Sequence, residues 1–93
     1  MLRSFRDKGG ERVRSREQSH RLDLFTQRAA LRKLLIFDAA ALLGDLRVPP
    51  GNHLEKLRGK RADERRIRVT AKWRIRFRWA PAGPDQVEIV DHH

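Results

Sequence analysis

From Trp73 to Trp79 apolar and cationic residues alternate without a break: Trp73, Ile75, Phe77 and Trp79 against Arg74, Arg76 and Arg78. Period two predicts a strand with one face on a core and the other in solvent. Arg65-Arg66-Ile67-Arg68-Val69-Thr70 before it and Gln86–Val90 after it predict flanking strands. Thr70-Ala71-Lys72 is short enough for a tight hairpin, and Ala80-Pro81-Ala82-Gly83-Pro84-Asp85 supplies a second turn. Upstream the period is helical. Asp23 can cap a helix rich in Ala and Leu that runs toward Leu43, with Gly44 as its C-cap after a kink near Asp38. Leu24, Leu31, Leu34, Leu35 and Leu42 form the expected apolar stripe, with Arg28, Arg32 and Lys33 on the other side. This helix is expected to cover the apolar face of the sheet. Lys8–His20 is highly charged and predicts a solvated helix whose start Gly9-Gly10 weakens. Met1–Arg6 predicts an edge strand anchored by Leu2 and Phe5. Residues 47–52 read as a loop, Leu54–Arg58 as a short strand, and Gly59–Glu64 as a charged turn.

The expected architecture is α+β: an N-terminal strand and helices packed on one face of a small, mainly antiparallel sheet of three to five strands. Ninety-three residues make one domain, 1–93. There is no cysteine, which excludes disulfides and thiolate metal sites. A basic N-terminus without an apolar run after it gives no signal peptide. Leu34–Leu43 is too short to span a bilayer. These features predict a cytoplasmic protein with no membrane partner.

Charge narrows the function. Lys plus Arg number 22 against 12 Asp plus Glu, a net +10, and the pI is about 11.5. Arginines outnumber lysines 17 to 5, which favours bidentate phosphate contacts. From Arg58 to Arg78 ten residues are basic and two, Asp63 and Glu64, are acidic, a net +8. Arg74, Arg76 and Arg78 share a strand face, so mutual repulsion makes a polyanion an attractive ligand. The alternating aromatics are expected to face the core rather than stack on bases. No Cys/His finger, basic heptad helix or helix-turn-helix is evident, which points to RNA backbone, ribosome or nucleic-acid shape.

RNA cleavage without a metal needs a base for the 2′-hydroxyl proton, a cation for the phosphorane, and an acid for the leaving 5′-oxygen. Asp91, His92 and His93 at the end of the chain, Arg74 on the basic face, and His53 and Glu55 at the entry to the sheet are the candidates. On composition alone, a terminal His-His is more often plain surface polarity or the remnant of a purification tag than a catalytic pair. Metal binding by Asp91, His92 and His93 is disfavoured, since neighbours on a strand point to opposite faces.

Leu2-Arg3-Ser4-Phe5-Arg6-Asp7-Lys8-Gly9, Val48-Pro49-Pro50-Gly51-Asn52, Leu54-Glu55-Lys56-Leu57-Arg58-Gly59, Ile67-Arg68-Val69, Trp73-Arg74-Ile75 and Val90-Asp91-His92-His93 together resemble HigB-type toxins of the RelE/ParE superfamily, over nearly the whole chain. The resemblance implies a type II toxin that cleaves messenger RNA on the ribosome, uses no cofactor and no metal, and is silenced by a cognate antitoxin of helix-turn-helix type. It implies that Arg74 contacts the scissile phosphate and that Asp91 and His93 are the terminal acid and histidine of the family. Lys56, Arg58, Lys60 and Arg61 would hold RNA or ribosome, together with Arg68, Arg76 and Arg78 on the basic face. Two departures stand out. His92 occupies a position commonly filled by tyrosine, and the tyrosine expected near Arg65, before Ile67, is missing; the chain has no tyrosine at all. Glu55 stands where some relatives carry histidine. Two alternatives remain beside the ribonuclease: a noncatalytic binder of the same fold that poisons a target such as gyrase, and a decayed toxin that persists as a basic RNA- or ribosome-binding module.

Overall fold

The computed structural model describes residues 2–6, 8–15, 22–57 and 64–91. Its sheet is antiparallel with order β1-β2-β3-β4: β1 is Glu55–Lys56, β2 Glu64–Arg68, β3 Trp73–Ala80 and β4 Gly83–Asp91. Two helices, α1 (Lys8–Arg14) and α2 (Leu24–Ala39), pack with it. The alternation in β3 does what its period requires. Ile67, Ile75 and Ile89 lie abreast on three strands and are buried with Phe77 and Val87. Trp73 and Trp79 pack partly buried against this layer, so the aromatics face the core as expected. Phe37 of α2 meets Phe77 edge to face, with ring centroids 4.7 Å apart.

The predicted edge strand at the N-terminus is reduced to a single parallel bridge between Phe5 and Val87. It is held by Arg3 N–H to Pro84 O, Arg6 N–H to Val87 O and Val87 N–H to Ser4 O. α1 starts at Lys8 and includes both glycines; Gly10 and Val13 are buried. The remainder of the predicted helix, residues 16–20, falls outside the described residues. α2 runs unbroken past Asp38 to Ala39. The Asp38 carboxylate accepts from Arg14 Nε and from the Leu2 backbone N–H, tying α1 and the N-terminal segment to α2.

Asp23 caps α2 as predicted, accepting from Thr26 N–H at 2.7 Å. The helix nevertheless stops at Ala39, short of Gly44. The Asp45 carboxylate accepts the backbone N–H groups of both Ala41 and Leu42, offering them partners outside the helix. The chain continues in 3₁₀ turns at Leu43–Arg47 and Pro50–Asn52. The buried stripe of α2 is also rotated from the predicted one. Thr26, Ala29, Ala30, Leu34 and Phe37 are buried, whereas Leu24, Leu35 and Leu42 are exposed. Lys33, expected on the solvent side, donates to buried Asn52, whose side chain in turn donates to Leu46 O.

Glu64 does not belong to a turn: it opens β2 and is buried. The second turn shrinks to Pro81-Ala82, because Ala80 already pairs with Gly83, where φ is 128°. β4 therefore begins three residues earlier than predicted and contains a bulge. Arg78 pairs with Asp85 but Arg76 with Glu88, so Gln86 and Val87 together oppose Phe77. Gln86 takes the positive φ, 52°, that this irregularity demands. The extra residue turns Asp85 and Glu88 onto the same face although they are three apart in sequence.

Candidate nucleic-acid interface

The face of the sheet opposite the core is built by cross-strand pairs. Arg66 pairs with Arg76 and Arg68 with Arg74, and Glu64 with Arg78. Like charges directly opposite one another destabilise a sheet. Most of this face answers that cost with interleaved carboxylates, which the sequence reading did not foresee. Arg76 bonds Glu88 and lies 4.0 Å from Glu64. Arg78 grips Asp85 with two parallel contacts of 3.0 Å. Arg6 reaches in from the N-terminal segment to Glu64 at 2.9 Å and Glu88 at 3.9 Å. Arg66 bonds Glu55 across β1 and β2. The expected row of bare arginines is thus largely a row of ion pairs.

The Arg68–Arg74 pair differs. Neither side chain makes an ion pair among the described residues. The Arg74 Nη1 donates to the carbonyls of Thr70, Ala71 and Trp73 in the β2–β3 turn, which fixes the guanidinium plane. That turn is closed by Val69 N–H and Thr70 N–H to Trp73 O and by Trp73 N–H to Thr70 Oγ1. Partial burial, then the charges of Arg68 and Arg66, lower the Arg74 pKa from its ordinary value, while Glu55 acts in the opposite direction. An arginine so placed stays protonated, and the shift reflects its partial burial first and its cationic neighbours second.

The other candidates are distributed as follows. Glu55 shares the Arg66 side of the sheet, two strands from Arg74. Lys56 pairs with Arg65, on the opposite parity, and is exposed. Arg76 and Arg78 lie on the arginine face but are engaged by carboxylates. Asp91 pairs with Trp73 and so falls on the core side of the alternation, opposite to that of Arg74. Lys72 approaches Asp91 at 3.9 Å and stands 5.5 Å over the Trp73 ring. His53, at φ 49°, ends the second 3₁₀ turn and is exposed. Arg58, Lys60, Arg61, His92 and His93 lie outside the described residues. The residues that sequence reasoning missed are Arg6, Glu64, Asp85 and Glu88. Glu88 alternates with Val87 and Ile89, which signals its exposed face, but its partner depends on the bulge.

No helix among the described residues is long and apolar enough to cross a membrane. Toxin HigB-1 of Vibrio cholerae serotype O1 (strain ATCC 39315 / El Tor Inaba N16961) is 40% identical over 80 residues, which cover 85% of this chain and 84% of that protein. A sequence model of the family described as RelE-like toxin of type II toxin-antitoxin system HigB matches residues 3–93. With two helices and a four-stranded antiparallel sheet among its described residues, the chain belongs to the HigB-like toxins of type II toxin-antitoxin systems.

Proposed function

We propose that this chain is a ribosome-dependent endoribonuclease that cleaves messenger RNA in the cytoplasm by acid–base chemistry of its own side chains, with no cofactor. The observation that carries the reading is the Arg68–Arg74 pair: two arginines at directly opposed strand positions, without carboxylate partners among the described residues, one of them anchored by backbone carbonyls. Aligned cations held in place stabilise charge that develops on a phosphorane without having to reorganise during the reaction.

In this reading a base takes the proton of the 2′-hydroxyl, and the 2′-oxygen attacks phosphorus. The bond to the 5′-oxygen breaks as an acid protonates it, leaving a 2′,3′-cyclic phosphate and a 5′-hydroxyl. Arg74, helped by Arg68, holds the scissile phosphate. His92 and His93 carry the protons, with Asp91 beside them in sequence as their charge partner. Glu55 is the carboxylate whose field acts on Arg74, and is the alternative base. Lys56, Arg58, Lys60 and Arg61 hold RNA or ribosome, and Arg76 and Arg78 contribute where phosphates displace their carboxylates. A helix-turn-helix antitoxin silences the activity.

The test is cleavage of an mRNA programmed into ribosomes, beside free mRNA, for the wild type, Arg74→Ala and His92→Ala/His93→Ala. Cuts confined to ribosome-bound mRNA and lost by at least about 10²-fold in each variant agree with the reading. Intact mRNA with wild-type protein sinks it and turns attention to a noncatalytic binder, tested first by gyrase supercoiling.

A further inference from the structure

Among the described residues, the outer side of α2 is an unpartnered surface of definite chemistry. Leu24 is 60% exposed, Phe25 71% and Leu35 38%. At 3.6 residues per turn, Leu24, Arg28, Arg32 and Leu35 fall on one side of the helix, with Phe25 at its margin. Arg28 and Arg32 are exposed, one turn apart, between the apolar side chains. The opposite side of α2 is spent on the core through Ala30, Leu34 and Phe37, so this patch points away from the sheet and its arginine face.

Three large exposed apolar residues on one short helix call for a cover. A second copy of the chain fits badly. A two-fold contact brings the same patch against itself, so the Arg28 and Arg32 of both copies would meet at its centre, in a chain that already carries +10. An acidic partner has the complementary pattern: carboxylates at i, i+4 spacing, answering Arg28 and Arg32, between apolar residues that cover Leu24, Phe25 and Leu35.

We propose that the outer face of α2 docks an acidic amphipathic segment of the cognate antitoxin, a partner the toxin-antitoxin family implies. The inference rests on the toxin reading for the identity of the partner, but not on the cleavage chemistry. The segment binds on the far side of the sheet from Arg74. Docking there leaves the Arg68–Arg74 pair uncovered.

The experiment titrates the full-length cognate antitoxin against full-length toxin: wild type, Phe25→Asp/Leu35→Asp, and Arg28→Glu/Arg32→Glu. Binding anchored by buried apolar residues predicts a Kd raised at least about 30-fold in the first variant. Losing both charge pairs predicts about 10-fold or more in the second, with a weaker salt dependence than the wild type. Both variants keep wild-type thermal midpoints, since every substituted side chain is exposed. Should the apolar variant lose its fold, the charge-reversal pair decides the matter alone. Growth arrest in cells is expected to persist in both variants and to resist rescue by the antitoxin. Unchanged antitoxin affinity overturns the proposal. So does a wild-type toxin that self-associates in sedimentation and is made monomeric by Phe25→Asp/Leu35→Asp. Loss of RNA binding in Arg28→Glu/Arg32→Glu with antitoxin binding intact overturns it too. The ribonuclease reading is judged separately: wild-type protein that leaves mRNA intact while binding antitoxin through this face refutes the chemistry and not the interface.

Discussion

Glu55→Gln separates charge from catalysis on the arginine face. Glu55 bonds Arg66, so the two together present no net charge to RNA. The substitution keeps the size of the side chain and frees one guanidinium beside the Arg68–Arg74 pair. Each phosphate neutralised on a single strand contributes a slope of about −0.7 to log K against log salt. Arg68 and Arg74 alone supply about −1.4, and an unpaired Arg66 brings this to about −2.1. Contributions from Arg58, Lys60 and Arg61 are common to both proteins and cancel in the difference. Between 50 and 200 mM salt the variant therefore loses about 2.6-fold more affinity than the wild type, and it binds more tightly at the low-salt end. Fluorescence anisotropy of a labelled single-stranded oligonucleotide across that range measures both. A slope that does not steepen refutes the reasoning, because Arg66 then exchanges Glu55 for phosphate freely and the ion pair restrains nothing. Cleavage on ribosomes, followed in the same variant, assigns the base. A loss of about 10²–10⁴-fold despite tighter binding identifies Glu55; retained cleavage leaves proton transfer to the terminal histidines.

Three further outcomes test the fold. Gln86→Val forces a β-branched residue into positive φ and costs about 1–2 kcal/mol, whereas Gln86→Gly is tolerated; urea denaturation of the pair measures the difference. Phe37→Ala empties a fully buried site against Phe77 and costs about 3–5 kcal/mol, a large share of the roughly 5–15 kcal/mol typical of a small domain, so its urea midpoint falls steeply. The Asp45 carboxyl is held below its ordinary pKa by the N–H groups of Leu42 and Ala41, and Asp23 by that of Thr26. The stability they add is present above the unfolded carboxylate range and is lost as pH falls through their depressed values. Thermal melts of Asp45→Asn and Asp23→Asn therefore show a shallower decline below about pH 4 than the wild type.

What the sequence made legible follows period and capping chemistry. The alternation of β3 placed Ile75 and Phe77 inward, and Asp23 announced the start of α2. What it hid depended on partners distant in the chain. The end of α2 turned on Asp45, whose carboxylate takes two N–H groups that a longer helix would have used. The rotation of its stripe turned on Ala29 and Ala30, small residues that let α2 approach the core, leaving Leu24 and Leu35 outside. Composition counts Leu as core, but proximity of the packed elements selects Ala. On the arginine face, the placement of Arg74 was readable from its alternation. The carboxylates were not, because their positions depend on register.

That register decides which arginines of the face are paired. Without the extra residue at Gln86, the pairing of Arg78 with Asp85 would carry on to match Arg76 with Val87. Glu88 would then turn toward the core, and Val87 and Ile89 toward solvent. Six arginines, Arg6, Arg66, Arg68, Arg74, Arg76 and Arg78, would crowd one surface with fewer counter-charges, and any polyanion would relieve them. With the bulge, Glu88 and Asp85 occupy Arg76 and Arg78, Glu64 occupies Arg6, and Glu55 occupies Arg66. Only the Arg68–Arg74 point remains without such a partner among the described residues, at the turn end of the sheet where Arg74 is braced by three carbonyls. Under the proposed function, a surface whose other arginines are already paired with carboxylates would bind free nucleic acid weakly. On that proposal it would need a second source of alignment before chemistry could begin, and a ribosome that presents mRNA in a fixed path would supply one.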